Sequence, residues 1–133
     1  MKMTEVKYWV AEDGTKFNDY WDCYQYERKT ELRKFKNDFT FFDVHCKPIS
    51  IDRANTDNIE YIIVKTIECA EMLTDWFQED GVCSPFECRQ GEEKIGTFRW
   101  ENLAGEWKRV EDELAELDKL LSDLNSVMIE LHS

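Results

Sequence analysis

The stretch from residue 110 to residue 131 reads VEDELAELDKLLSDLNSVMIEL and combines a regular apolar row with an excess of acid. The apolar residues recur at steps of four and three, the heptad spacing of an amphipathic helix. The other faces of this helix carry seven acidic residues and one lysine. We therefore expect a long helix that buries its apolar row over the sheet of its own chain and leaves its acid in water. The row consists of Val110, Leu114, Leu117, Leu121, Leu124, Met128 and Leu131.

The residues beside this row bear on how two such helices would pair. In a parallel pair, Glu113 at heptad position g would face Asp118 at position e of the other helix, and like charges repel. In an antiparallel pair, Leu120 and Val127, also at g, face their counterparts and widen the apolar contact. We therefore expect a monomer or an antiparallel homodimer.

The preceding part of the chain alternates β-rich runs with two helical segments. Asn18 or Asp19 can cap the first helix and Thr66 the second, because their side-chain oxygens accept hydrogen bonds from free backbone N–H groups. The order β-α-β-β-α-β-β-α favours a single α+β domain over residues 1–133, with a small, mostly antiparallel sheet, two helices and the long acidic C-terminal amphipathic helix. The predicted strands cover residues 7–11, 39–46, 59–65, 95–100 and 107–110, a polar loop covers 52–58, and an irregular segment covers 82–93.

The two predicted helices differ in what ends them and in what they bury. The first runs to about Lys34 and has a mixed stripe in which the stem of Arg28 is tolerated among apolar groups. The second ends at Gly81, a residue that accepts a positive φ. Its inward side consists of Cys69, Ala70, Leu73 and either Trp76 or Phe77.

The composition and the N-terminal sequence limit the class of protein that this chain can be. Of 133 residues, 42% are hydrophobic and 14% aromatic, which is enough for a packed core. No apolar run approaches the roughly 20 residues of a membrane span, and residues 1–10 lack the apolar stretch of a signal peptide. The five cysteines are an odd number, which is typical of a reducing compartment. We therefore expect a cytoplasmic protein that does not contact a membrane.

The net charge of −12 is unevenly distributed along the chain. Residues 1–66 form a near-neutral half with 12 acidic and 11 basic residues, whereas residues 67–133 form a strongly acidic half with 17 and 6. Such a charge repels nucleic acid and favours basic protein partners. The alternative interpretation is an acidic surface that only keeps the protein in solution.

Cysteine and histidine residues are the candidate metal ligands and catalytic groups of this chain. His45, Cys46, Cys83 and Cys88 are of the right chemical types for zinc. However, the Cys83–Cys88 spacing is wider than usual, and His45 and Cys46 would point to opposite sides of a strand, so we predict no metal and no cofactor. Asp43 and His45 share a face of the predicted strand, but no nucleophile or phosphate-binding glycine loop accompanies them. A structural, hydrogen-bonded histidine and a non-enzymatic protein are therefore expected.

The predicted hairpin near the C-terminus places aromatic beside basic residues. Trp100 and Trp107 alternate with Arg99, Lys108 and Arg109. Aromatic and basic groups together can stack on single-stranded nucleic acid. Because the surrounding sequence is strongly acidic, we interpret the tryptophans as cross-strand packing and expect no direct binding of nucleic acid.

The N-terminal region carries a more specific pattern. Tyr8-x-Val10-Ala11-Glu12-Asp13-Gly14-x-x-Phe17, followed by Cys23-x-x-Tyr26-Glu27, resembles small accessory proteins of phages and mobile elements in Gram-positive bacteria, a group that includes anti-CRISPR-like inhibitors. The later order is similar to theirs, with a Tyr-Ile-Ile-Val strand, a helix, a hairpin ending in Gly-x-Trp, and an acidic helix. The resemblance implies a phage accessory protein, and it names no catalytic residue. The segment 82–93 departs from that layout.

These observations lead to a functional hypothesis of stoichiometric inhibition. An acidic helix can occupy a basic groove built for phosphates, so the expected partner is the basic surface of a host nucleic-acid-binding defence protein, such as a CRISPR effector nuclease. The alternatives are a dimeric structural adaptor of a phage and a zinc-containing enzyme. The expected partner-binding residues are Glu111, Asp112, Glu116, Asp118, Asp123, Trp100 and Trp107.

Overall fold

The centre of the molecule is a five-stranded antiparallel sheet with two helices packed on one face, so the fold is α+β. The computed structural model describes residues 1–3 and 8–132, and the side chains of all of these except residues 2, 3 and 132. In chain order the elements are β1 (Lys2–Met3), β2 (Trp9–Val10), β3 (Lys16–Phe17), α1 (Tyr20–Lys34), β4 (Phe39–Phe42), β5 (Pro48–Ile49), β6 (Tyr61–Val64), α2 (Ile67–Glu79), a 3₁₀ turn (Gly91–Lys94), β7 (Gly96–Glu101), β8 (Glu106–Arg109) and α3 (Val110–His132).

The main sheet has the strand order β5-β4-β6-β7-β8, and every pairing is antiparallel. Alternate residues of β4 and β6 are buried, as the two-residue period of a strand requires. The predicted inward side of α2 packs on them, and Trp76 and Phe77 are both buried, where one of the two was expected. The core consists mainly of Leu32, Phe39, Phe41, Ile62, Val64, Cys69, Ala70, Leu73, Trp76, Phe77, Phe86 and Phe98.

The predicted helix starts are confirmed, together with the chemistry that sets them. Asp19 precedes α1 and accepts a hydrogen bond from the Trp21 N–H at 2.7 Å. Thr66 precedes α2 and accepts one from the Cys69 N–H at 3.2 Å. Each cap satisfies a backbone donor that has no partner inside the helix. Gly81 follows the end of α2 with a φ of +70°, as expected of a helix terminator.

The prediction of one strand from residue 39 to residue 46 is wrong, because β4 ends at Phe42 and the chain reverses into β5. Asp43 drives the reversal: its Oδ1 accepts the backbone N–H groups of His45 and Lys47 at 2.9 and 3.0 Å. Cys46 takes a positive φ of 60° in this turn. Pro48 then lies on the edge strand β5, where a missing N–H costs no ladder hydrogen bond.

A second, small sheet of order β1-β2-β3 lies at the N-terminus, and the sequence predicted only one of its strands. Asp13 and Gly14 form the turn between β2 and β3: Gly14 has a φ of +91°, and the Ala11 N–H donates to the Thr15 carbonyl at 2.9 Å. Lys7, where the first strand was predicted to begin, lies outside the described residues. Two-residue strands carry too little periodic signal to be recognised from sequence.

A buried arginine joins the two helices of the body. Arg28 of α1 is 7% exposed and donates to the Trp76 carbonyl at 2.7 Å and to Asp80 at 2.8 Å, with Glu79 2.9 Å from its Nε. The three partners of Arg28 belong to the C-terminal end of α2 or the residue after it, where backbone carbonyls lack helical partners and a positive charge is favoured. Arg28, whose stem was predicted to lie in the stripe of α1, therefore holds α2 through its guanidinium group.

The long C-terminal helix was predicted to bury its apolar row over the sheet, and that prediction is wrong. We call residues 1–109 the head. Every residue of α3 from Leu114 to Leu131 is exposed, and Leu121 retains 57% of its surface. The face of the sheet that holds the core is already covered by α1, α2 and the 82–90 segment, and the row of α3 does not take part in that core.

Candidate functional site

The first turn of α3 is fastened to the sheet by two glutamates. The Thr97 N–H lies 2.9 and 3.0 Å from the two carboxylate oxygens of Glu111, so β7 donates into that carboxylate. Glu113 accepts two hydrogen bonds from Arg99, each at 2.7 Å, in the forked geometry that suits a guanidinium. These hydrogen bonds hold the pKa of Glu113 below its ordinary value of 4.5. Glu111, expected in the partner surface, thus anchors the helix, and Glu113 was missed as an anchor.

Asp112 lies between the anchors and faces two arginines. It accepts hydrogen bonds from Arg109 at 2.8 Å and from Arg89 at 3.1 Å, and 52% of its side chain remains exposed. Desolvation raises the pKa of Asp112, but the two hydrogen bonds outweigh it and the pKa lies below its ordinary value of 3.8. Arg89 comes from the 82–93 segment, so this segment helps to position α3. Asp112 is therefore only partly available to a partner.

Beyond the anchors, the helix carries three acids that form no ion pair with any described residue of the head. They are Glu116, Asp118 and Asp123, and all three are exposed. The same helix has an exposed apolar row, which is wider than the row predicted from the sequence. The row gains Leu120 and Val127 at position g and Ile129 at position b. Exposed fractions along it are Leu114 54%, Leu117 53%, Leu120 52%, Leu121 57%, Leu124 51%, Val127 51%, Met128 55%, Ile129 70% and Leu131 76%.

The two tryptophans of the β7–β8 hairpin face the body of the protein. Trp100 and Trp107 are cross-strand neighbours with ring centroids 5.6 Å apart, which confirms the packing interpretation. Trp107 also meets Phe77 edge to face at 6.0 Å and packs against the core, and both tryptophans are half-buried. Neither ring is part of the exposed α3 surface, and a role of these tryptophans in binding a partner stays a prediction.

The four residues considered for zinc do not come together. His45 and Cys46 lie in the β4–β5 turn, whereas Cys83 and Cys88 lie in the segment after α2. Within the described part of the chain, no three His, Cys, Asp or Glu side chains are grouped to hold a metal ion. Asp43 and His45 are not partners on a strand face, because the Asp43 carboxylate is occupied by the backbone of its own turn.

The N-terminal pattern has a structural explanation. Asp13 accepts a hydrogen bond from the Tyr26 hydroxyl at 2.5 Å, and this bond holds the pKa of Asp13 below its ordinary value of 3.8. Glu27 accepts the Glu12 N–H at 3.3 Å and lies 3.0 Å from the amino group of Met1. The two parts of the pattern therefore bind each other and dock the small sheet on α1.

Beside this contact lies a cavity of about 640 Å³ between the Ala11–Asp13 turn, α1 and α2. Its charged lining is mainly acidic, and Arg28 fills the space between the rings of Tyr24 and Trp76, at 5.6 and 5.0 Å from their centroids. The acidic lining residues are Glu12, Asp13, Glu27, Glu31, Asp75 and Glu79. Several of them already serve the head: Glu27, Glu31 and Glu79 form ion pairs within it, and Asp13 accepts the Tyr26 hydroxyl.

Comparison of the chain with protein-family models, curated proteins and solved structures finds no match. Among the described residues, no helix combines the length and apolar character needed to cross a membrane. The arrangement that distinguishes this α+β protein is a helix held at its first turn and exposed over the rest of its length. Such an arrangement is suited to contacting another macromolecule.

Proposed function

We propose that the protein acts by stoichiometric binding, as a phage or mobile-element accessory protein that inhibits a nucleic-acid-binding defence protein in the cytoplasm of a bacterial host. The observation that carries this proposal is the exposed part of α3. Glu116, Asp118 and Asp123 stand on a helix whose anchors lie at the opposite end, so a groove can receive the helix without disturbing the head. In this proposal the protein is not an enzyme and uses no cofactor.

The charge of α3 supports a basic partner. Arginines of the head neutralise Asp112 and Glu113, whereas Glu116, Asp118 and Asp123 are exposed and form no ion pair with the described residues of the head, so their field extends into solvent. Exposed charges act over a Debye length of about 8 Å at physiological salt. A surface rich in lysine and arginine, such as a channel for nucleic acid in a CRISPR effector nuclease, is attracted over that range and its association is accelerated.

The N-terminal resemblance supplies the phage context in this proposal and no contact residues. The residues of this pattern contact one another within the head: Asp13 accepts a hydrogen bond from Tyr26, and Glu27 accepts one from the backbone N–H of Glu12. We therefore assign the interaction to α3 and the pattern to the fold of the head. The adaptor alternative is favoured by a separate observation, the exposed apolar row, and a zinc enzyme is not proposed because its ligands lie apart.

The test is inhibition of a purified CRISPR effector nuclease by the parent and by two charge-matched triple variants. Glu116→Lys, Asp118→Lys and Asp123→Lys together reverse the acids of α3. Their control reverses three exposed acids of the head, Asp57→Lys, Glu92→Lys and Glu106→Lys, with the same change in net charge.

The α3 variant should associate at least about tenfold more slowly at low salt, and the difference should shrink as salt rises, since the lost attraction is long-range. The head variant should keep most of the association rate of the parent. Equal inhibition by the parent and the α3 variant at both salt concentrations would show that the acid is only a solubilising coat.

A further inference from the structure

The exposed apolar row of α3 is large enough to require a cover. Burying a leucine-sized side chain removes on the order of 100 Å² of apolar surface, so nine side chains exposed by half or more present roughly 500 Å². A patch of that size is at the upper end of what a monomeric protein exposes. Two such rows placed face to face bury up to about 1,000 Å² of apolar surface, close to the lower limit for a specific protein–protein interface.

We propose that α3 pairs with α3 of a second copy of this chain in antiparallel orientation, with Leu117 of one helix opposite Met128 of the other. This inference uses the apolar row, which the proposed inhibition does not need; it leaves Glu116 and Asp123 on the outer side of the pair and places Asp118 at its edge. The helix is exposed for its whole length beyond Leu114, about 27 Å at 1.5 Å per residue, so a second helix can lie along it without meeting the head.

The flanks of the row favour the antiparallel orientation. In heptad terms, Leu114, Leu121 and Met128 are at a, and Leu117, Leu124 and Leu131 are at d. The g flank is apolar at Leu120 and Val127, whereas the e flank is polar at Asp118 and Asn125. Because g faces e in a parallel pair, each apolar flank residue would meet a polar one there. In an antiparallel pair g faces g, so apolar groups meet apolar groups.

Charge then selects the register. With Leu117 opposite Met128, Asp118 lies beside Asn125 of the second copy, whose amide can donate a hydrogen bond to a carboxylate. Leu120 lies beside Val127, and Glu113 falls beyond the end of the other helix and keeps its hydrogen bonds to Arg99. A shift by one heptad toward the heads would place Asp118 against Asp118, which is repulsive.

The distribution of acid along α3 points the same way. Between Val110 and Lys119 there are five acidic residues, and between Leu120 and Leu131 there are two. A parallel pair would align the two acid-rich halves and bring two acidic heads side by side. An antiparallel pair sets each acid-rich half against an acid-poor half and also opposes the two helix dipoles, which lowers the repulsion.

The first experiment measures mass in solution. The full-length chain at about 100 µM is analysed by light scattering or sedimentation equilibrium, and the expected mass is twice the 15.9 kDa of one chain. Leu121→Asp should raise the dimer dissociation constant at least about a hundredfold, because it places a charge in the contact. Ser126→Asp adds the same charge at f on the outer side and should change the constant by less than about threefold.

The second experiment determines orientation by disulfide formation. In a background in which the exposed Cys46, Cys83 and Cys88 are serine, Leu117→Cys and Met128→Cys chains of different size are mixed, exchanged under reducing conditions and oxidised. The antiparallel pair joins the two different chains. It keeps each new thiol about 16 Å along the axis from its own counterpart, which is beyond the roughly 7 Å that a disulfide spans between Cα atoms.

Each outcome decides the proposal. A dimer that Leu121→Asp dissociates and Ser126→Asp does not, with the mixed disulfide as the main product, supports it. A monomer, a trimer or a tetramer at 100 µM overturns it, as do products in which each variant is joined to itself, or equal effects of the two aspartates. Unchanged head stability of Leu121→Asp by thermal unfolding excludes misfolding as the cause. A monomer that still inhibits the nuclease would reject the dimer and keep the proposed function.

Discussion

Replacing Arg28 by methionine tests the joint between α1 and α2. Methionine keeps an unbranched apolar stem in the same space but removes the guanidinium that contacts Trp76, Glu79 and Asp80. A buried hydrogen bond from a charged group contributes about 1.5–3 kcal/mol. Of the three partners, Glu79 and Asp80 are 50% and 30% exposed and regain water, so most of the loss is the bond to the Trp76 carbonyl. We expect Arg28→Met to lower the free energy of unfolding by about 2–3 kcal/mol.

The assay is urea denaturation followed by far-UV circular dichroism, with thermal unfolding as a second measure. For a chain of this size the expected loss corresponds to a decrease in Tm of about 10 °C. Arg33→Met is the matched control on the same helix: its ion pair with Asp52 joins groups that are 41% and 75% exposed, so its change should stay within about 0.5 kcal/mol. Arg28→Lys keeps the charge but not the fork, and its stability should lie between those of Arg28→Met and the parent. Equal stabilities of Arg28→Met and Arg33→Met would refute the conclusion that Arg28 stabilises the contact between α1 and α2.

Three further results are expected. Native protein should react quickly with a thiol reagent at three cysteines and denatured protein at five, because Cys46, Cys83 and Cys88 are exposed while burial raises the pKa of Cys23 and raises that of Cys69 to about 12; five fast thiols in native protein would contradict the fold. The anchoring of α3 should weaken as pH falls below about 4.5. The pKa values of Asp112 and Glu113 are lower in the folded than in the unfolded protein, so these carboxylates stabilise the fold at a pH above their unfolded pKa values and lose that contribution when they are protonated. Hydrogen exchange at residues 110–113 that stays constant from pH 6 to about pH 3, after correction for intrinsic rates, would refute this. Gly96→Ala should destabilise more than Gly105→Ala, because a Cβ at Gly96, with φ +136°, would approach Glu111 to 2.8 Å, whereas Gly105 has open space and incurs only the left-handed backbone cost of about 1 kcal/mol; thermal unfolding compares the two.

Local chemistry was sufficient to predict much of the head. Asp19 and Thr66 mark helix starts because a side-chain oxygen acts on N–H groups two or three residues away, and Asp13-Gly14 marks a turn by its own backbone preferences. The α+β class and the hairpin of β7 and β8 follow from periodicity, which is also a local property. Where two local signals competed, the prediction failed: the β-rich run after Phe39 suggested a longer strand, but Asp43 bonds to the backbone ahead of it and turns the chain.

The sequence also established that the last helix is amphipathic and acidic, but not where its apolar row faces. Periodicity shows that a row needs a cover, and it contains no information on whether the cover comes from the same chain. The direction in which the row faces depended on tertiary structure, because α1, α2 and the segment carrying Phe86 cover the face of the sheet that holds the core, and Leu114–Leu131 stay exposed. The anchors of α3 were decided in the same way. Arg99 and Glu113 are 14 residues apart in sequence, and only the folding of the β7–β8 hairpin against the first turn of α3 brings their charges together.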